Sequence, residues 1–346
     1  MIRTTCHPEA MTLMHPAPML ARRLGRTLLQ ALTATLVLAA APAWADWPQD
    51  RPIHLIVPFP AGSSPDLLAR TLVDPLSKAL SQTIVVENRV GAGGNIGTRY
   101  VARAAGDGYT LLYTINGPLV TAPTLYKKTL GYDPMTDLAP VTLVATSPNV
   151  LVVNNKVGVD TLSAFVDRAR SQPGKLNYGS VGAGSASHLA MEMFEERAGI
   201  DLMQVPYPGF PQIVTAILAG DIQAAFMVPA IAMPQVRDGR MRALGITSAK
   251  AVASLPGIAP LSAQGYPGFE AISWNAILAP ADTPASVIKT LQQTLATIIR
   301  SDEIGKKFDA QYFSAVGSTP AELRTLMQQE RRRWDAVIER LQLSLD

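Results

Sequence analysis

The sequence predicts an α/β protein in which parallel sheets are covered by helices, and it predicts two domains. Three observations carry this. Short runs of β-branched and aliphatic residues alternate with longer stretches of helical periodicity, the pattern of βαβ units. The alternation runs in two series, the second beginning at Val150. Setting aside a 45-residue leader from the 346-residue chain leaves 301 residues, enough to bury a full core in two domains.

The leader is read from Arg22, Arg23 and Arg26, which precede an apolar stretch from Leu28 to Pro42. Ala43-Trp44-Ala45 then forms an A-x-A cleavage signal before Asp46, completing the pattern of a secretory signal peptide. A membrane anchor fits less well. Gln30, Thr33 and Thr35 interrupt the run, which falls short of the roughly 20 residues that a spanning helix needs. Arg22-Arg23 leaves both the general and the twin-arginine export routes open, and Met11, Met14 and Met19 are alternative starts. The chain has 30 basic and 27 acidic residues; residues 1–45 hold four arginines and one glutamate, so 26 of each remain. A neutral mature chain gives no reason to expect nucleic acid or an anionic membrane as partner. Cys6 is the only cysteine and leaves with the leader, so neither a disulfide framework nor a lipid-anchored cysteine is expected. These features predict a soluble, monomeric periplasmic protein without a membrane anchor.

In order, strand 53–57 leads through a turn to a helix over 65–80. Strand 83–86 is followed by a helix over 98–105, and strand 109–114 by a loop. The second series predicts strands at 150–153, 176–178, 202–205, 222–227 and 242–247, interleaved with helices at 162–170, 188–197, 210–219 and 230–237. Ser248 to Phe269 is Pro- and Gly-rich without clear period, 272–278 reads as a strand, and three helices close the chain. Thr283-Pro284 and Thr319-Pro320-Ala321-Glu322 each place an N-cap before a first-turn proline, the second with a capping box. The last helix aligns Leu323, Leu326, Met327, Trp334, Val337, Ile338 and Leu341 on one face, with Arg331-Arg332-Arg333 expected on its solvated side.

Val86 to Gly97 has the look of a nucleotide loop: strand, glycine turn, helix. Its spacing is G-x-G-x-x-x-G, one residue too long for the dinucleotide fingerprint, and Tyr109 to Thr114 carries no acid for a ribose hydroxyl. No G-K-[ST] follows, and no cofactor is expected. Catalytic groups are scarce, since only His54 and His188 remain in the mature chain. Neither H-E-x-x-H nor G-x-S-x-G occurs, although Ser185 and His188 lie close together, so a secreted α/β hydrolase stays the weaker alternative. Two strand-to-helix turns, Phe59 to Asp66 and Gly179 to His188, offer backbone N–H groups, small hydroxyls and helix N-termini suited to a carboxylate. Ordinary capping by Ser64 or Ser187 explains either turn alone; together they suggest opposing walls of a cleft.

Arg51-Pro52-Ile53 leading to Val57-Pro58-Phe59, Glu87-Asn88-Arg89 with Gly91 to Gly97, and Asp107-Gly108-Tyr109-Thr110-Leu111 resemble the Bug proteins, periplasmic solute-binding components of tripartite tricarboxylate transporters. The resemblance continues through Pro148 to Val153, Pro173 to Tyr178, Ser187-His188-Leu189, Val205-Pro206-Tyr207, Leu244 to Lys250, Ser273-Trp274 and Ala279-Pro280, covering essentially the whole mature chain. It implies a type II periplasmic binding protein fold: two lobes, each a mostly parallel sheet flanked by helices, joined by two crossing strands and closing on a ligand. Mapped here, residues 46–149 and 275–346 form the first lobe and 150–274 the second.

The resemblance also implies a small carboxylate held between the two turns, delivered to tripartite transporter membrane subunits or to a membrane sensor. The expected contacts in the first lobe are Phe59, Ala61, Gly62, Ser63, Ser64, Asp66 and Asn116, with Trp274 at the crossing. In the second lobe they are Ser180, Gly182, Gly184, Ser185, Ser187, His188, Tyr207 and Met227. The glycine run is expected only to shape a turn. Three places depart from the family pattern. A Pro-Gly-Gly-x-x-Asp loop is here Ala61-Gly62-Ser63-Ser64-Pro65-Asp66, Tyr-Lys-Gly is Tyr207-Pro208-Gly209, and Phe-Asp is Phe226-Met227. Without that acid, an α-amino acid held through its ammonium is not expected.

Overall fold

The computed structural model describes residues 47–346, so the leader, its cleavage point after Ala45 and Cys6 lie outside the described residues. The first series forms β1 (Ile53–Val57), α1 (Ser64–Leu80), β2 (Ile84–Asn88), α2 (Asn95–Ala102) and β3 (Thr110–Ile115). The segment after β3, read as a loop, is instead a π-helical turn, Gly117–Thr121, running into the short α3 (Ala122–Leu125) before β4 (Leu138–Ser147). The second series forms β5 (Val150–Asn154), α4 (Leu162–Ser171), β6 (Asn177–Ser180), α5 (Ala186–Ala198) and β7 (Met203–Pro206). It continues through α6 (Phe210–Ala219), β8 (Ala224–Met227), α7 (Pro229–Arg237) and β9 (Met241–Ile246). The chain closes with β10 (Ser273–Pro280), α8 (Ala285–Ile299), α9 (Asp302–Asp309), β11 (Ser314–Ala315) and α10 (Pro320–Arg340).

Two sheets result, in the orders β11-β4-β10-β3-β1-β2 and β7-β6-β8-β5-β9. The two-lobed α/β architecture holds, but the sheets are mixed rather than mostly parallel. β1 runs parallel to β2 and β3, and β6 parallel to β7 and β8, where helices make the return. The pairs β10–β3, β10–β4, β11–β4, β5–β8 and β5–β9 are antiparallel. The cause lies in the passages between sheets. Four of these five pairs involve β5 or β10, the strands that come into a sheet from the other sheet rather than through a βαβ crossover within it.

The chain leaves the first sheet at Pro148–Asn149 and returns at Ala271–Ile272. These passages are tied together. Thr247 Oγ1 accepts the Asn149 N–H at 2.8 Å and donates to the Ala271 carbonyl at 2.7 Å, while the Ala271 N–H donates to the Thr247 carbonyl at 2.9 Å. All three residues are buried, where such bonds hold geometry firmly because water cannot replace them.

α10 spans both sheets' surroundings. Its capping box is formed as the sequence implies: Thr319 Oγ1 accepts the Glu322 N–H at 3.3 Å and Glu322 Oε2 accepts the Thr319 N–H at 2.8 Å. Leu323, Met327, Trp334, Val337 and Ile338 are buried, in one apolar cluster with Trp274 and Leu278 of the first sheet and Leu151 and Phe226 of the second. At about 1.5–3 kcal/mol per large side chain, this face fixes the helix in place. Two expectations need correction here. Arg331 and Arg333 are not simply solvated: Arg331 pairs with Asp133 and Asp335, and Arg333 pairs with buried Glu330 at 2.6 Å. Thr283 does not cap α8 either; its hydroxyl donates to the Pro280 carbonyl, and Pro284 occupies the N-cap in extended conformation. Among the described residues, no helix is long and apolar enough to cross a membrane.

Candidate ligand-binding site

A cavity of about 440 Å³ opens where the two passages meet, with Asn149, Ala271, Ile272 and Ser273 in its wall. Its remaining lining comes from both sides. Phe59, Ala92, Gly93, Asn95, Ile115, Asn116 and Leu125 belong to the first series; Val181, the run Ala183 to Ser187, Phe210 and Val228 belong to the second. Trp334 and Leu345 are added from the C-terminal region. Most of this surface is apolar, and no charged side chain contributes to it.

On the second side, the turn before α5 satisfies much of its own polarity. Ser185 is the N-cap, accepting the His188 N–H at 3.3 Å. Val181 N–H donates to Ser187 Oγ, Gly182 N–H to Ser180 Oγ, and Ser185 N–H to the Gly182 carbonyl. Gly184 N–H, expected to be free, donates to His188 Nδ1 at 3.0 Å. The amides of Ala183, Ala186 and Ser187 have no such partner among the described residues, the last two being first-turn groups that a helix cannot satisfy itself. Gly184 has φ +73°, and a Cβ there would lie 2.9 Å from Leu125 Cδ1, so glycine is what allows the turn to close against α3.

His188 sits behind this turn. Its Nε2 lies 3.5 Å from Glu192 Oε1, which also accepts the Tyr178 hydroxyl at 2.9 Å. The His188 hydrogen bond holds the Glu192 carboxyl below its ordinary range despite partial burial, with Tyr178 adding to the effect. Burial pushes the Tyr178 hydroxyl well up, so it stays a donor. With both ring nitrogens engaged in this way, His188 is not placed as a base for Ser185 or Ser187, and the hydrolase alternative loses its geometry.

On the first side, the Phe59 to Asp66 turn behaves differently from expectation. Only Phe59 reaches the cavity. Asp66 is buried and folds back to brace the turn, accepting Gly62 N–H at 2.8 Å, Asn88 Nδ2 at 2.9 Å and Arg70 Nε at 3.0 Å. Burial raises its pKa, but the hydrogen bonds from Arg70, Asn88 and Gly62 outweigh that and leave it below the ordinary value. Ala61, Gly62, Ser63 and Ser64 do not line the cavity. The glycine run takes their place, with Ala92 and Gly93 in the wall and Asn95, first residue of α2, beside them. Gly94 makes this possible: a Cβ there would stand 2.8 Å from Phe59 Cζ, so only glycine lets the aromatic ring lie against the turn.

Of the other expected contacts, Asn116, Gly184, Ser185 and Ser187 line the cavity, and Asn116 Nδ2 donates to the Ile272 carbonyl at 3.4 Å. Ser180, Gly182, His188 and Tyr207 do not line it. Met227 and Trp274 are fully buried in core clusters and do not line it either. Sequence reasoning missed Asn95, Asn149, Leu125, Trp334 and Leu345. Asn149 could have been found, because it occupies the expected crossing. Trp334 is steered by Glu330, whose Oε2 accepts its indole N–H at 3.0 Å.

Residues from the first turns of α2 and α5 therefore face one neutral cavity from opposite sides. Unpaired N–H groups and the positive ends of helix dipoles favour an anion there, without any salt bridge. The sequence profile of a family described as "Tripartite tricarboxylate transporter family receptor" matches residues 68–343. Protein BugT of Bordetella pertussis is 35% identical over 299 residues, covering 86% of this chain and 92% of its own. Two solved structures are similar throughout. One is R. palustris Rpa4515 with adipate (TM-score 0.73, 33% identity, 85% of this chain and 98% of that one). The other is MatC from Rhodopseudomonas palustris with bound malate (TM-score 0.69, 27% identity, 84% and 99%).

Proposed function

The chain belongs to the tripartite tricarboxylate transporter receptor family of periplasmic solute-binding proteins, and on that premise we propose that it captures a small carboxylate with an apolar body in the cavity between its two sheets. The observation that carries this reading is the neutral, largely apolar lining flanked by two helix first turns. An adipate-like chain, such as the relative at 33% identity holds, suits such a wall better than a hydroxylated acid does. Micromolar affinity requires about −8 kcal/mol. Roughly ten heavy atoms supply it at about −0.8 kcal/mol each, inside the usual bounds for small ligands.

No acid lines the cavity, so an ammonium would be desolvated there without a counter-charge, at a cost of several kcal/mol. An α-amino acid is therefore disfavoured by the lining itself and not by Met227, which does not line the cavity. The two bodies that close on the ligand are residues 46–149 with 275–346, and residues 150–274, except that Ser273 and Trp274 already pair with β4 in the first sheet. Export with cleavage after Ala45 delivers a monomer to the periplasm, where a tripartite membrane subunit receives the ligand. Thermal-shift screening of the protein stripped of solute tests the ligand class: aliphatic and aromatic carboxylates raise Tm, whereas stabilisation by glutamate or aspartate in preference to them overturns the reading. N-terminal sequencing of periplasmic protein checks the start at Asp46.

A further inference from the structure

The segment that begins at Ala92 has two working faces. Its inner side, Ala92, Gly93 and Asn95, lines the ligand cavity, while Ile96, Arg99, Tyr100 and Arg103 line a separate open groove of about 710 Å³. Arg51, Arg89, Val90 and Asp107 contribute to the rest of that groove. Its chemistry is unusual for the surface of this chain. Val90, Ile96 and Tyr100 are large apolar side chains left 52%, 45% and 41% exposed, and they gather at this one place. The Arg89 guanidinium lies 3.6 Å from the Tyr100 ring centre, which holds both side chains in position. Tyrosine and arginine in a concave, partly apolar setting are the side chains that dominate protein interfaces.

Charge decides the partner. Arg51 is paired with Asp107, and Arg89 with Glu87 at 2.6 Å. Arg103 makes one guanidinium hydrogen bond, to the Gly131 carbonyl at 3.1 Å, and Arg99 has no ionic or hydrogen-bonding partner among the described residues. Two positive charges are thus uncompensated here, in a mature chain whose overall charge is zero. The excess is local, fitting a docked acidic segment rather than the broad field that holds a protein on an anionic bilayer.

We propose that this groove docks an acidic, periplasm-facing protein segment of the membrane subunit that takes the ligand. The proposal rests on the receptor reading above. It also gives a physical reason for the placement: α2 is one short rigid helix whose first residue touches the cavity and whose outer face touches the partner, so a ligand-driven shift of Asn95 is felt at the docking surface.

The test is a photo-crosslinker at position 100, Tyr100→p-benzoylphenylalanine, in intact cells, with adducts identified by mass spectrometry. The expected adduct is an integral membrane protein with acidic periplasmic segments, and its yield falls at least tenfold in R99E/R103E while R240E, a charge reversal on a different face, leaves it unchanged. Thermal melts of each variant establish that it is folded. No adduct, an adduct only with a second copy or a soluble protein, or a membrane adduct indifferent to R99E/R103E overturns the proposal. So does co-sedimentation with phosphatidylglycerol vesicles that the same double variant abolishes, because that assigns the groove to lipid. Native mass spectrometry of the same preparations separates the two readings. Retained solute without the adduct removes the docking surface alone, and the adduct on a protein that never holds solute removes the receptor reading.

Discussion

Asn116 shows how little of this site depends on charge. Its side chain lines the cavity and ties β3 to the returning passage through the Ile272 carbonyl, so Asn116→Ala removes a polar group of the cavity wall and a brace together. A neutral hydrogen bond contributes about 0.5–1.5 kcal/mol, so affinity for a carboxylate that stabilises the wild type in the thermal-shift screen falls about 2- to 12-fold by calorimetry. Asn95→Ala gives a loss of the same order, with Tyr132 losing the Oδ1 acceptor 3.1 Å from its hydroxyl. Glu195 offers a pH prediction. Burial pushes its carboxyl from 4.5 up to about 8, and Glu192 and Asp201 push the same way against the Leu202 N–H. Because the folded pKa is the raised one, the unfolded chain sheds this proton first, and stability is lost as pH rises from about 4.5 to about 8. Glu195→Gln lacks this loss. Its Tm advantage over the wild type therefore widens from pH 5 to pH 8 and then levels, as a melting series across that range measures.

At the scale of elements, local signals were legible and contacts between distant segments were not. The Thr319–Glu322 capping box needs four consecutive residues, and it stands as read. The helix following the Gly179 to His188 turn was also legible, but its polar economy was not, since nothing in a sequence tells that His188 Nδ1 takes the Gly184 amide. Met227 illustrates strand parity: one position along the chain, Val228 reaches the cavity while Met227 packs among Val150, Val152 and Ile246. The C-terminal tail was invisible because its contacts lie far away in the sequence. Leu345 donates its N–H to the Leu125 carbonyl at 2.7 Å, and Asp346 accepts the N–H groups of Lys128 and Thr129 at 2.9 and 3.2 Å. These bonds hold Leu345 as part of the cavity wall beside Gly184. Deleting residues 342–346 therefore accelerates release of a carboxylate that stabilises the wild type in the thermal-shift screen by roughly tenfold, the equivalent of about 1.4 kcal/mol of lost apolar contact. Stopped-flow displacement measures the rate. Gly184→Val closes the same space from the other side and, with φ +73° forbidden to a branched side chain, costs about 1–3 kcal/mol in a denaturation series.

Across the whole molecule, two mixed sheets meet at two passages held by Asn149, Thr247 and Ala271, and the ligand cavity lies at that junction. The arrangement couples capture to shape. On the proposed reading, a solute bridging the first turns of α2 and α5 would draw the two sheets' loops together about the passages, through amides and dipoles rather than ion pairs. A wall without ion pairs selects against cationic solutes, and native mass spectrometry of the protein purified without denaturation reads that selection directly. The expected result is a single small solute per chain that bears a carboxylate and no amino group, released on gentle unfolding. Recovery of an α-amino acid or another cationic solute contradicts it.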